Sequence, residues 1–120
     1  MATPRFSSVD DYLKSLDAPK GDTLRSVIDD VLAQYPELEC KLSWNVPQIH
    51  RDGKYVFGVS ASRQHLSLSP WSTQVIEDFG DRLGGFVVKK NLFQVPVDWE
   101  IDSVLLGDLV AARLAELDAD

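Results

Sequence analysis

Asp52-Gly53 stands between two runs of alternating side chains, and no other dipeptide in the chain restricts the fold as much. A two-residue type I′ turn needs positive φ at both central positions, which Asp-Gly supplies at little steric cost. Such a turn pairs Arg51 with Lys54, His50 with Tyr55, Ile49 with Val56 and Gln48 with Phe57. A second hairpin near Ser62-Arg63 pairs Ser60 with His65, Val59 with Leu66, Gly58 with Ser67 and Phe57 with Leu68. A one-residue slip would set serines opposite large apolar residues. The stretch from Trp44 to Trp71 therefore reads as three short antiparallel strands. Period-two alternation gives them two faces. Val46, Phe57, Val59, Leu66 and Leu68, with His50, Tyr55 and Trp44 at the margin, form the face expected to meet a core. Val56, Gly58, Ser60, His65, Ser67 and Ser69 form a small polar face, with Arg51 and Lys54 at its rim. An antiparallel sheet can leave such a face open to water.

Helical patterns flank this stretch. Ser7 or Ser8 caps a short helix with Asp10 and Asp11 in its first turn and an apolar stripe of Val9, Tyr12, Leu13 and Leu16. After the break at 17–21, Asp22 reads as the next N-cap. Leu24, Val27, Ile28, Val31, Leu32 and Tyr35 then fall on one helical face, up to Pro36. Residues 39–44 form an extended lead-in to the sheet. Ser72 or Thr73 opens a helix that Gly84-Gly85 stops, and 86–90 and 92–96 read as two short strands about Asn91. Asp98 or Asp102 opens the last helix, in which Gly107 admits close packing at a cost of about 1 kcal/mol relative to alanine. Segregated helices and consecutive strands make the chain α+β, an antiparallel β-sheet with N- and C-terminal helices packed on one face.

A length of 120 residues with 44% hydrophobic content suits one domain over 1–120. The N-terminal residues lack the apolar run of a secretory signal, and no apolar run approaches a membrane span. A lone cysteine, Cys40, excludes an intramolecular disulfide and a cysteine zinc cluster, and points to a reducing, cytoplasmic setting. The net charge of −7 argues against nucleic acid as a partner. Its distribution is uneven: eight acids and four bases in 1–39, four and seven in 40–97, seven and one in 98–120. Acidic helices are thus expected around a mildly basic sheet.

Trp44-Asn45-Val46-Pro47, Asp52-Gly53-Lys54 and His65-Leu66-Ser67-Leu68-Ser69-Pro70 together resemble the YdhG-like family of small bacterial domains of unknown function. Lys89, the strand leading to Pro96 and a final helix ending Ala111-Ala112-Arg113 extend the resemblance over roughly residues 6–117. It implies a frataxin-like α/β sandwich, and iron handling as a family possibility, because one member is described as an intracellular iron chaperone. Val46 stands where a methionine is common, and Lys90-Asn91 replaces a lysine-glycine.

Three functions follow for such a chain. The first is a small non-catalytic binding domain, its ligand on the open sheet face at Ser60, His65 and Ser67, with Arg51 and Lys89 favouring an anion and Trp71 at the rim. The second is an iron chaperone using the helix carboxylates Asp22, Asp29 and Asp30, since iron bound by hard ligands needs several carboxylates together. The third is a homodimer or protein-interaction module with that sheet face covered by another chain. An enzyme is not expected, because no nucleophile elbow, no acid to orient His65 and no glycine-rich phosphate loop is present in the sequence. No resident cofactor is expected either, iron apart.

Overall fold

The computed structural model describes residues 6–119. Helix α1 (Val9–Lys14) starts at Ser8, whose Oγ accepts the Asp11 N–H at 3.0 Å, and α2 (Lys20–Gln34) follows. Four strands come next: β1 (Glu39–Ser43), β2 (Val46–Arg51), β3 (Lys54–Ala61) and β4 (His65–Ser69). Helix α3 (Thr73–Asp78) is capped by Ser72 and runs into a 3-10 turn at Gly80–Leu83. Strands β5 (Val87–Val88) and β6 (Phe93–Pro96) precede α4 (Ser103–Ala119), where the Asp102 carboxylate accepts the Leu105 N–H. The helix after the first break begins at Lys20 rather than beyond an Asp22 cap, so Asp22 lies in its first turn.

All six strands join in one antiparallel sheet of order β1-β2-β3-β4-β6-β5. Ile49, Phe57, Val59, Leu66, Leu68, Phe93 and Val95 form the sheet side of the core. Leu24, Val27 and Val31 of α2 and Leu106, Leu109 and Val110 of α4 complete it, and all six are essentially inaccessible. This is the α+β arrangement expected, with the terminal helices on one sheet face.

Two registers differ from the sequence reading. The second hairpin turns at Arg63-Gln64, with Ser62 N–H donating to His65 O at 2.8 Å. Ser60 therefore pairs with Ser67, Val59 with Leu68 and Ala61 with Leu66. Moving the turn by one residue shifts both strands together, so each side chain keeps its face. The first hairpin differs more. Arg51 pairs with Lys54 and His50 with Tyr55 as expected, but Ile49 then pairs with Phe57 and Gln48 with Gly58. Val56 is the extra residue of a β-bulge, and it lies fully buried beside Phe57.

Residues 39–44 are also more than a lead-in. Strand β1 pairs with β2 along its whole length through a turn at Trp44-Asn45, both in the left-handed region (φ 53° and 65°). Asn45 is the local signal for that turn, since asparagine tolerates this conformation better than most residues.

Glycine matters most where α1 meets α2. A Cβ on Gly21 would stand 2.7 Å from the backbone oxygen of Leu13, which cannot swing aside as a side chain could. Gly107 plays a related part between α2 and α4, where the Gln34 amide lies against it and the Tyr35 hydroxyl donates to its carbonyl at 3.0 Å. Alanine at 21 gains about 1 kcal/mol of helix propensity but forces an overpacking cost of about 1–3 kcal/mol. Gly21→Ala should therefore lower the urea midpoint of unfolding. An unchanged or higher midpoint would mean that α1 repacks freely on α2.

Candidate functional site

The bulge redistributes the first hairpin between the two faces. Below it, Gln48 joins Gly58, Ser60 and Ser67 on the face away from the helices. Tyr55 reaches the same face, stacked on Trp71 with ring centroids 5.0 Å apart. Trp44 completes a three-ring cluster, 5.2 Å from Tyr55 and 5.6 Å from Trp71, and is 69% exposed. Lys41 Nζ lies 5.7 Å from the Tyr55 ring centre. Val46 lines this face as well. Tyr55 and Trp44 are thus not on the core side, because one extra residue in β3 reverses the alternation that placed them there, while Val46 lines the groove and still packs against the core.

His50 and Arg51 are likewise exchanged. His50 pairs with Tyr55 at the hairpin end, and its Nδ1 accepts the Gly53 N–H at 3.2 Å. Arg51 reaches the helix side, where its guanidinium pairs with Asp118 of α4 at 2.6 Å. It does not rim the polar face.

Two adjoining hollows open on that face. One, of about 80 Å³, is lined by Val46, Gln48, Gly58, Ser60, Ser67, Ser69, Trp71 and Leu92. Ser69, Trp71 and Leu92 also border the second, of about 360 Å³, with Ser72, Thr73 and Asn91. Trp71 is fixed at their junction in the left-handed region (φ 56°), and its Nε1–H donates to Gln48 Oε1 at 2.8 Å. Ser69 Oγ donates to Asn91 O and accepts the Trp71 N–H, which holds the rim together. A Cβ on Gly58 would collide with the Gln48 amide oxygen and stand 3.1 Å from Trp71 Nε1. Glycine at 58 is therefore what lets the amide–indole hydrogen bond lie flat on the sheet.

Of the residues expected on the site, Ser60, Ser67 and Trp71 converge. His65 shares their face but lines a separate hollow of about 300 Å³ with Gln64, Phe86, Val87, Gln94 and Pro96. Lys89 is exposed in the β5–β6 turn, its backbone N–H bonded to Leu92 O, and lines neither groove hollow. Gln48 and Leu92 were not expected there. The bulge hid Gln48, and Leu92 arrives only because β6 inserts beside β4.

The acidic groups are dispersed. Asp30 accepts from the Gln34 amide at 2.8 Å and the Ser103 hydroxyl at 2.7 Å, while Asp22 and Asp29 are exposed along α2. Asp10 pairs with Arg25 at 2.6 Å, and that hydrogen bond holds its carboxyl below the usual carboxylate range. Among the described residues, no three His, Cys, Asp or Glu side chains come together as a metal site. No helix among them is long and apolar enough to cross a membrane.

No family model matches the chain. It is 24% identical over 108 residues, 88% of each chain, to a protein of Bacillus subtilis (strain 168) named intracellular iron chaperone frataxin. Among solved structures it resembles a YdhG protein of the DUF1801 family from Bacillus subtilis, with a TM-score of 0.79. That match has 23% identity over 88% of this chain and 86% of the other. An uncharacterised conserved protein of Lactobacillus casei ATCC 334 follows at a TM-score of 0.61, with 21% identity over 92% of each chain. The fold is YdhG-like.

Within this YdhG-like fold Cys40 faces the helix side of β1. Burial pushes its thiol up to about 11, with the Asp29 charge acting in the same direction. A thiol so protonated is a poor nucleophile at neutral pH. Between the unfolded value of about 9 and the folded value of about 11 the unfolded chain loses the proton first, so stability falls as pH rises. Cys40→Ala should flatten that alkaline fall in denaturation midpoints taken from pH 8 to about 11. Parallel profiles for the two proteins would count against the buried-thiol account.

Proposed function

We propose that this chain is a small non-catalytic binding domain working inside the cell, with its ligand in the groove between β3, β4 and Trp71. The observation that carries this reading is the state of Ser60 and Ser67. Neither hydroxyl has a hydrogen-bond partner among the described residues, and both line the groove, where Ser67 keeps 9% of its surface exposed. A hydroxyl that stays accessible on the wall of a hollow and has no protein partner is ready for a ligand or ordered water. The same hydroxyls have no base beside them, since His65 belongs to the neighbouring hollow. That favours binding over nucleophilic chemistry. The Arg51–Asp118 pair removes the cation that an anionic ligand would have met.

Amide chemical shifts measured against a fragment set of neutral and anionic small molecules provide the test. Perturbations should concentrate at Gly58, Ser60, Ser67, Ser69 and Leu92 and disappear in Ser67→Leu, which fills the floor. Shifts centred instead on the hollow between α1 and α2, lined by Leu13, Leu16, Gly21 and Arg25, would move the site there.

The name of the Bacillus subtilis relative favours a second reading, in which ferrous iron is cargo carried by the exposed α2 carboxylates. Asp22 and Asp29 remain available for it, whereas Asp30 is engaged by Gln34 and Ser103. Anaerobic titration with ferrous iron should then saturate, and Asp22→Asn with Asp29→Asn should weaken it about tenfold or more. A featureless titration of the parent chain would reject the iron reading and leave the groove untouched.

A further inference from the structure

The groove has a chemical bias that its position alone does not explain. Charged residues make up 26% of the chain, yet not one of the side chains lining the two adjoining hollows carries a charge. What they offer instead is neutral hydrogen bonding: the free Ser60 and Ser67 hydroxyls, the Gln48 amide, and Thr73 with Asn91 farther along. Trp71 and Leu92 contribute apolar surface to both hollows. An ion transferred into this surface would lose water without gaining a counter-charge, an unfavourable exchange. A molecule with many hydroxyls and no charge exchanges water for these donors and acceptors at little net cost, because each hydroxyl both gives and takes a hydrogen bond.

The strand order sets a further limit. The floor is built on β2, β3 and β4, interior strands whose backbone groups are already paired on both sides. An extended peptide has no free ladder to join there, since strand addition needs a sheet edge. Recognition must come from side chains, which suits a compact ring. Trp71 is already held for such a ring by Tyr55 stacking, by the Gln48 hydrogen bond and by its own left-handed backbone, so little freedom is lost when a ligand lies against it.

We propose that the groove binds a neutral saccharide, one sugar ring lying against Trp71 with its hydroxyls on Ser60, Ser67 and Gln48. The proposal rests on the groove being the ligand site and adds the class of ligand. The smaller hollow accepts an edge of the first ring, and the larger one beyond Ser69 accommodates the next residue of an oligosaccharide.

Calorimetric titration of the full chain with glucose, N-acetylglucosamine, cellotriose, chitotriose and maltotriose tests it, with citrate and adenosine run alongside. At least one of the sugars should saturate, the trisaccharide more tightly than its monomer. Ser60→Ala with Ser67→Ala, two small changes to side chains that support no other group, should weaken it about tenfold, and Glu37→Gln, at an exposed position away from the groove, should leave it unchanged. Sugar binding indifferent to the serine substitutions overturns the proposal, as does no saturation by any sugar up to about 10 mM. Saturation by citrate or adenosine alone overturns it too. Amide shifts recorded in the same samples then separate the two failures. Shifts at Ser60, Ser67 and Leu92 with a non-sugar keep the groove and discard the saccharide, while shifts elsewhere discard both.

Discussion

Arg113 of α4 donates its Nε–H to the carbonyl oxygen of Tyr55 at 3.0 Å, where β3 carries one residue more than β2. A bulge leaves ladder groups unpaired, and a buried carbonyl without a donor costs about 1–3 kcal/mol. The guanidinium removes that cost and reaches on to Glu116 at 3.3 Å. Glu116 in turn accepts the Ser72 hydroxyl at 2.7 Å, next to Trp71 and at the start of α3. One chain of hydrogen bonds thus ties the bulge, the last helix and the residue after the tryptophan to one another. The placement of Tyr55, Trp71 and the groove wall depends on it.

Everything distinctive on the open sheet face follows from that irregularity. The bulge buries Val56 beside Phe57 and sends Tyr55 to the other side, where it supports Trp71. Left-handed backbone at Trp44, Asn45 and Trp71 brings the indoles over the sheet, a conformation uncommon for large side chains and held only by its surroundings. Gly58 then keeps the floor low enough for the Gln48 amide to reach the indole. The serines beyond it have no hydrogen-bond partner among the described residues and line a hollow with no charged side chain. The helices hold the opposite face and carry most of the acidic surplus, away from this groove.

Much of this was legible in the residues. The apolar stripe from Leu24 to Val31, the Asp52-Gly53 turn and the strand from Phe93 to Pro96 fall where their periodicity and turn chemistry put them. The capping serines Ser8 and Ser72 do as well. Ser60 and Ser67 share the open face despite the shifted register, because moving a turn by one residue preserves the pleat on both strands. Val46, His50 and Arg51 could not be placed the same way. Their faces depend on whether β3 is regular, and nothing in Tyr55-Val56-Phe57 announces an extra residue, since all three suit a strand. Asn45 is the local sign of the β1–β2 turn, and Trp44 masks it because a large aromatic side chain rarely takes the left-handed conformation.

The sequence by itself determined the α+β architecture, the helix-bearing face of the sheet and the hydroxyl-rich strand pair, because these are matters of local spacing, and local spacing is written in the chain. Tertiary structure alone decided that Arg51 leaves the site for Asp118, that His65 and Lys89 stand apart from Ser60, and that Gln48 and Leu92 join it. Those outcomes depend on the Arg113 bond at the bulge and on β6 lying beside β4, contacts between segments distant in sequence. A period-two pattern can say that a face exists. Which groups meet on it is settled only when the helix that stabilises the bulge has docked.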